Sequence, residues 1–233
     1  MKKHIPNAIT CCNLISGCTA TYWAFCGNYH LAFLFIVIGA VFDFFDGMTA
    51  RLLHVSSPIG KELDSLADDI TFGFAPSAIL FDYLNTFDTF GQLLPLRWMG
   101  YLAFAMAAFS ALRLAKFNLD ERQALGFIGL PTPANALFWG SLIVGAGSTI
   151  NTLPCAPWLI LFGIVTSCHL LVCEIPMFAL KFKTWGWRGN EVKYVFLLTC
   201  IPILLLLGIS GLAVIIAWYV LLSAICKEKN NKS

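Results

Sequence analysis

The chain has 233 residues, 58% hydrophobic and only 12% charged, with a formal net charge of +2. A soluble domain carries about 25% charged residues, so water is excluded as the main solvent of this fold. No nucleic-acid partner is expected.

In chain order, apolar blocks lie near 8–28, 30–53, 60–84, 98–118, 131–150, 157–180, 192–208 and 210–226. Each is close to the roughly 20 residues that a helix needs to cross a bilayer. The expected fold is an all-α, polytopic transmembrane helix bundle of about eight spans, with six to eight admissible. The last two blocks, divided only at Gly208 to Gly211, read as a tight hairpin or one long bent helix. No soluble domain fits between the blocks, so residues 1–233 read as a single integral-membrane domain with a solvated tail at 227–233.

The basic residues are distributed unevenly. With the amino terminus inside, 14 of the 15 Lys and Arg residues fall on the inner side and Arg97 alone outside. Lys and Arg near span ends stay cytoplasmic, so both termini are expected there. Ile15-Ser16-Gly17-Cys18 resembles a lipoprotein cleavage box, but Pro6, Asn7 and Asn13 interrupt the apolar signal core, which favours a retained first span. The nine cysteines contain no CxxC pair and read as small packing residues, not as a disulfide framework or zinc site.

Against this background the carboxylates stand out. Ionisable groups in membrane spans cost about 2.5–3.5 kcal/mol each on insertion scales, so a group of them points to function. The second block ends in DFFDGMTAR, Asp43 to Arg51, and the third begins GKELDSLADD, Gly60 to Asp69. On a helix Asp43, Asp46, Gly47, Ala50 and Arg51 form one stripe, and Gly60, Asp64 and Asp68 form another. The link Leu52 to Ile59 contains Ser56, Ser57 and Pro58, which supply turn and helix-entry chemistry. The two helices are therefore expected as antiparallel neighbours with converging stripes. Four carboxylates drawn together call for hard divalent cations, Mg²⁺ or Mn²⁺. Gly47, Ala50 and Gly60 leave room either for a ligand or for close helix packing, and Arg51 either pairs with an aspartate or snorkels to the interface.

Residues 43–68 match D-x2-D-G-x2-A-R-x8-G-x3-D-x3-D at every fixed position and spacing, so the chain resembles the CDP-alcohol phosphatidyltransferases. The resemblance implies a divalent metal held by Asp43, Asp46, Asp64 and Asp68, with Asp68 also the general base. It implies that Gly47, Ala50, Arg51 and Gly60 border the cytidine diphosphate of a CDP-diacylglycerol donor, and it implies a homodimer. Asp69 lies off the stripe and receives no role beyond supporting a neighbour.

Flanking segments carry the acceptor. His4 to Gly17, Arg113 to Asn118 with Gly129 to Asn135, and Glu174 to Met177 leading to Lys181 resemble membrane-integral phosphatidylserine synthases. That resemblance implies L-serine as acceptor, with CMP released, in a bacterial inner membrane with the site facing the cytoplasm. Arg113 and Lys116 are placed to meet a phosphate or carboxylate, or serve as ordinary interfacial anchors. Asn7 and Thr10 hydrogen-bond the nucleotide or cap the first helix. Thr132 and Asn135 are candidates to face the acceptor. Glu174 binds the serine ammonium, pairs with a lysine or stays neutral in the bundle. The alternatives are another acceptor, such as glycerol 3-phosphate, choline or an inositol phosphate, a divalent-cation transporter, or a noncatalytic scaffold.

Overall fold

A computed structural model describes residues 4–55, 57–87, 98–119, 127–177, 186 and 190–230, with side chains of the final helix described to residue 225. These residues are mostly helical, and each of the eight apolar blocks forms a helical segment. Lys2, Lys3, Arg97, Arg122, Lys181, Lys183, Arg188 and residues 231–233 lie outside the described residues.

Helix α1 (His4–Phe25) turns into α2 (Tyr29–Leu52) through Gly27, whose φ of +71° suits a residue without Cβ. Asn28 caps the new helix, its side chain accepting from the Leu31 backbone N–H. After α2, Ser57 caps α3 (Pro58–Asp68) by accepting from Gly60 N, and Pro58 occupies the first turn, where its missing N–H costs nothing.

Helix α3 runs without a break through a π-helical segment, Asp69–Phe74, into α4 (Ala75–Asn85). The third block is thus one rod whose geometry changes just beyond Asp68. Such π turns are uncommon and concentrate at functional sites.

A 3₁₀ turn, Gly100–Phe104, leads into α5 (Ala105–Leu119). A two-residue strand β1 (Phe127–Ile128) pairs antiparallel with β2 (Pro176–Met177), Phe127 opposite Met177, and between them lie α6 (Thr132–Ile150) and α7 (Ala156–Val172). Finally α8 (Glu191–Leu207) and α9 (Gly211–Asn230) are separated by Gly208, at φ +56°, and a single 3₁₀ turn. The Phe196 and Tyr219 rings lie 5.9 Å apart, which only a reversed chain allows. The last two blocks therefore form the hairpin.

Among the described residues, three stretches are long and apolar enough to cross a bilayer: Tyr29–Leu52, Gly100–Leu119 and Glu191–Ile225. Helices α1 and α6 are less apolar because polar side chains turn inward on them. Thr10, Asn13 and Ser16 of α1, and Thr132, Asn135 and Ser141 of α6, are all buried. Outward faces are apolar instead: Leu205 and Leu206 of α8 are 81% and 83% exposed. That inversion suits a hydrocarbon solvent, in which backbone groups must be satisfied within helices. The chain is an all-α bundle of membrane character.

The core is centred on α4, α5, α6 and α7, with Phe72, Ile79, Leu80, Met106, Ile164 and Leu171 fully buried. One expectation changes. Helices α2 and α3 make little direct contact, and α1 is the element that packs against both. It enters where side chains are missing: a Cβ on Gly17 would lie 2.8 Å from Thr71 Cα, and one on Gly60 would lie 3.0 Å from Asn7 Oδ1. The aspartate-bearing helices are consequently held apart and leave a cleft.

Candidate active site

The cleft has a volume of about 310 Å³ and is lined from three helices: Asn7 and Thr10 of α1, Asp46, Gly47 and Ala50 of α2, and Gly60, Lys61 and Asp64 of α3. At its side, one carboxylate oxygen each from Asp43, Asp64 and Asp68 lies within 4.8 Å of the others. The two aspartate stripes do converge, across a gap and with little direct helix contact.

Asp46 stands apart from that trio. It is buried, and its Oδ2 accepts a 2.6 Å hydrogen bond from Thr10 Oγ1. Thr10 also donates toward Pro6 O, so its hydroxyl is shared between its own helix and the carboxylate. Asp68 accepts from Asn13 Nδ2 at 3.1 Å. Asn7, Thr10 and Asn13 recur at three-residue spacing on α1, so a single helix edge supports carboxylates of α2 and α3. Asn13 itself is held by the π segment, where the Thr71 hydroxyl donates to the Asn13 backbone carbonyl at 3.1 Å.

Unit negative charges 4.8 Å apart repel by about 3 kcal/mol at an effective dielectric of 20. Asp64 Oδ1 is buried with no hydrogen-bond partner among the described residues. An all-oxygen set of this kind, with an unsatisfied inward oxygen, fits a hard divalent cation.

The glycines separate by what surrounds them. A Cβ on Gly47 would meet nothing within 4 Å, so it opens onto the cleft. A Cβ on Gly60 would lie 2.9 Å from Ser57 Oγ, so Gly60 answers also to packing. Arg51 is exposed, donates from Nε to Gly47 O one turn back at 3.0 Å, and does not line the cleft.

The acceptor candidates are scattered. Arg113 is only 6% exposed, lies within electrostatic reach of Asp68, and its Nε has no hydrogen-bond partner among the described residues. That is not the setting of an interfacial anchor. Lys116, one turn on, is exposed as an anchor would be. Thr132 and Asn135 are fully buried and do not line the cleft. Glu174 is exposed just before β2.

Two residues outside the sequence-based set emerge here. Asn13 contacts Asp68, and its signal was the continuation of the Asn7, Thr10 spacing by one more step. Lys61 lines the cleft while its Nζ donates to Asn118 O at 2.9 Å, a long-range contact with no local signature.

The CDP-alcohol phosphatidyltransferase family model matches residues 3–142, which include every residue lining the cleft. The chain is 38% identical over 174 residues to the CDP-diacylglycerol–serine O-phosphatidyltransferase of Bacillus subtilis, covering 74% of this chain and 89% of that protein. The Mycobacterium leprae protein of the same name is 30% identical over 185 residues, covering 74% of this chain and 57% of its own length. That of Helicobacter pylori is 35% identical over 135 residues, covering 57% and 54% respectively. The match thus spans just over half the length of the latter two.

Proposed function

The chain belongs to the CDP-alcohol phosphatidyltransferase family, and on that premise we propose that it transfers the phosphatidyl group of CDP-diacylglycerol to L-serine, releasing CMP and forming phosphatidylserine. The observation that carries this reading is the convergence of Asp43, Asp64 and Asp68 beside a cleft opened by Gly47.

In this reading Asp43, Asp46, Asp64 and Asp68 hold divalent metal, Mg²⁺ or Mn²⁺. Such ions, when bound, offset pyrophosphate charge and stabilise the attacking and leaving oxygens. Asn7, Thr10, Gly47, Ala50, Gly60 and, at its edge, Arg51 border the CDP-lipid headgroup. Asp68, oriented by Asn13, accepts the proton of the serine hydroxyl. The freed oxygen bonds to the lipid-side phosphorus while the bond from that phosphorus to the CMP oxygen breaks, and CMP leaves with the electron pair. Arg113, desolvated and near Asp68, faces the serine carboxylate. Donor and product are both lipids, which accounts for a catalytic domain built inside an apolar bundle. We place it in a bacterial inner membrane as a homodimer of about eight-span subunits, with termini and site cytoplasmic.

The test is CMP release by the purified protein from CDP-diacylglycerol with each of serine, glycerol 3-phosphate, choline and an inositol phosphate, under Mg²⁺ and Mn²⁺. Serine-dependent release is expected. Release with another acceptor alone would reassign the substrate, and metal flux through liposomes retained in Asp68→Asn would favour a transporter.

A further inference from the structure

A second cavity lies away from the cleft, between α6, α7 and α9, and no residue lines both. Its volume is about 500 Å³. Its wall follows α6 from Asn135 to Ile150, a length of roughly 22 Å at the helical rise per residue. A cavity of this length can take an extended hydrocarbon chain lying along the three helices.

The chemistry of the wall points the same way. Side chains at the rim are apolar and open to the outside, Phe162 at 72% and Leu159 and Leu221 at 56% exposure. In a membrane bundle this opening meets hydrocarbon, not water. The Thr166 hydroxyl is turned back onto Phe162 O, and Ser167 Oγ is taken by Trp139 Nε1 at 2.9 Å. One polar group is left. Asn135 is completely buried at one end of the bore, and neither its Nδ2 nor its Oδ1 has a hydrogen-bond partner among the described residues. A buried amide without partners is costly, and an ester carbonyl at the end of a hydrocarbon chain supplies an acceptor for Nδ2.

We propose that this cavity holds one acyl chain of a resident membrane phospholipid, its ester carbonyl at Asn135 and its methylenes running between α6, α7 and α9, separate from the lipid that reacts in the cleft. Two of its three walls lie beyond the segment matched by the family model, which ends at residue 142.

The test uses the full chain in nanodiscs containing phosphatidylglycerol with a photoreactive diazirine at the end of one acyl chain. Irradiation is expected to label inward-facing positions remote from Asn135 that lipid outside the bundle cannot reach, Ile160 and Ala156, which are 4% and 0% exposed. Ala217→Phe narrows the bore from α9 and should lower this labelling roughly tenfold, the ratio that about 1.4 kcal/mol produces. Labelling confined to Leu159, Phe162 and Leu221 would overturn the proposal. So would loss of inner labelling on adding CDP-diacylglycerol, which would assign the chain to the reacting lipid. Should Ala217→Phe fail to fold, the labelling pattern of the wild-type protein and its response to CDP-diacylglycerol decide the matter.

Discussion

Hydrogen bonds to the aspartates, and the charge that the aspartates concentrate, set the behaviour of single residues. Thr10 and Asn13 carry no charge, yet each bonds to one of the four aspartates. Partners that orient metal ligands are typically worth about 10–100-fold in metal affinity or activity. Thr10→Val and Asn13→Ala should each raise the half-saturating Mg²⁺ or Mn²⁺ concentration for CMP release within that range; an unchanged metal titration would remove them from the site. Repulsion within the trio has an opposite signature. In chelator, Asp64→Asn should melt higher than wild type, because it relieves like-charge repulsion of about 3 kcal/mol per pair at an effective dielectric of 20, while its turnover and its stabilisation by added metal disappear. Thermal melting with and without EDTA reads both. Gly47 and Gly60 should also part company. With open space at its Cβ position, Gly47→Val should leave melting unchanged and raise the KM for CDP-diacylglycerol, whereas Gly60→Val should lower the melting temperature as Ser57 and Asn7 are displaced.

The π segment is the informative feature at the level of elements. Thr71 reaches Asn13 O from it, and Gly73 within it lets Asp69 Oδ1 and Ser110 approach, since a Cβ there would stand 2.6 Å and 2.9 Å from them. Thr71→Val keeps the shape but removes the bond to Asn13 O, which is left with its intrahelical partner alone, a loss of about 0.5–1.5 kcal/mol. A lower melting temperature together with weaker metal dependence is expected; a change in melting alone would limit Thr71 to packing. Little of this was visible in the sequence. Apolar runs of bilayer length located all eight helical segments, and the i, i+3, i+4 spacing located the carboxylates, because both signals are local. The separation of α2 from α3 was not local: it depends on Gly17 and Gly60 admitting α1, a long-range contact that spacing within α2 and α3 does not encode. Arg113 shows the same limit, since nothing about a lysine- or arginine-bearing helix end distinguishes the residue that turns inward from the one, Lys116, that remains outside.

The whole molecule divides into a polar-lined half, α1 to α3 with the aspartates, and an apolar half ending in the α8–α9 hairpin. Within the apolar half the hairpin turn packs closely on α6 at Gly145, so near that a Cβ would stand 2.7 Å from Ser210 Cβ and collide with its backbone N–H. Gly145→Val should therefore loosen the hairpin, lowering thermal stability by about 1–3 kcal/mol and increasing protease cleavage near Gly208, while the metal half-saturation in the cleft stays unchanged. A shift in that value would mean that the hairpin and the cleft communicate.

The position of α1 between the two aspartate-bearing helices also bears on biogenesis. Every residue that lines the cleft, and every member of the carboxylate trio, lies within the first 68 residues. Chains are made from the amino terminus at about 5–20 residues per second, so these helices are available to assemble seconds before α8 and α9 exist. The helices that carry the carboxylates are thus made early in synthesis, before the hairpin exists to pack on the bundle.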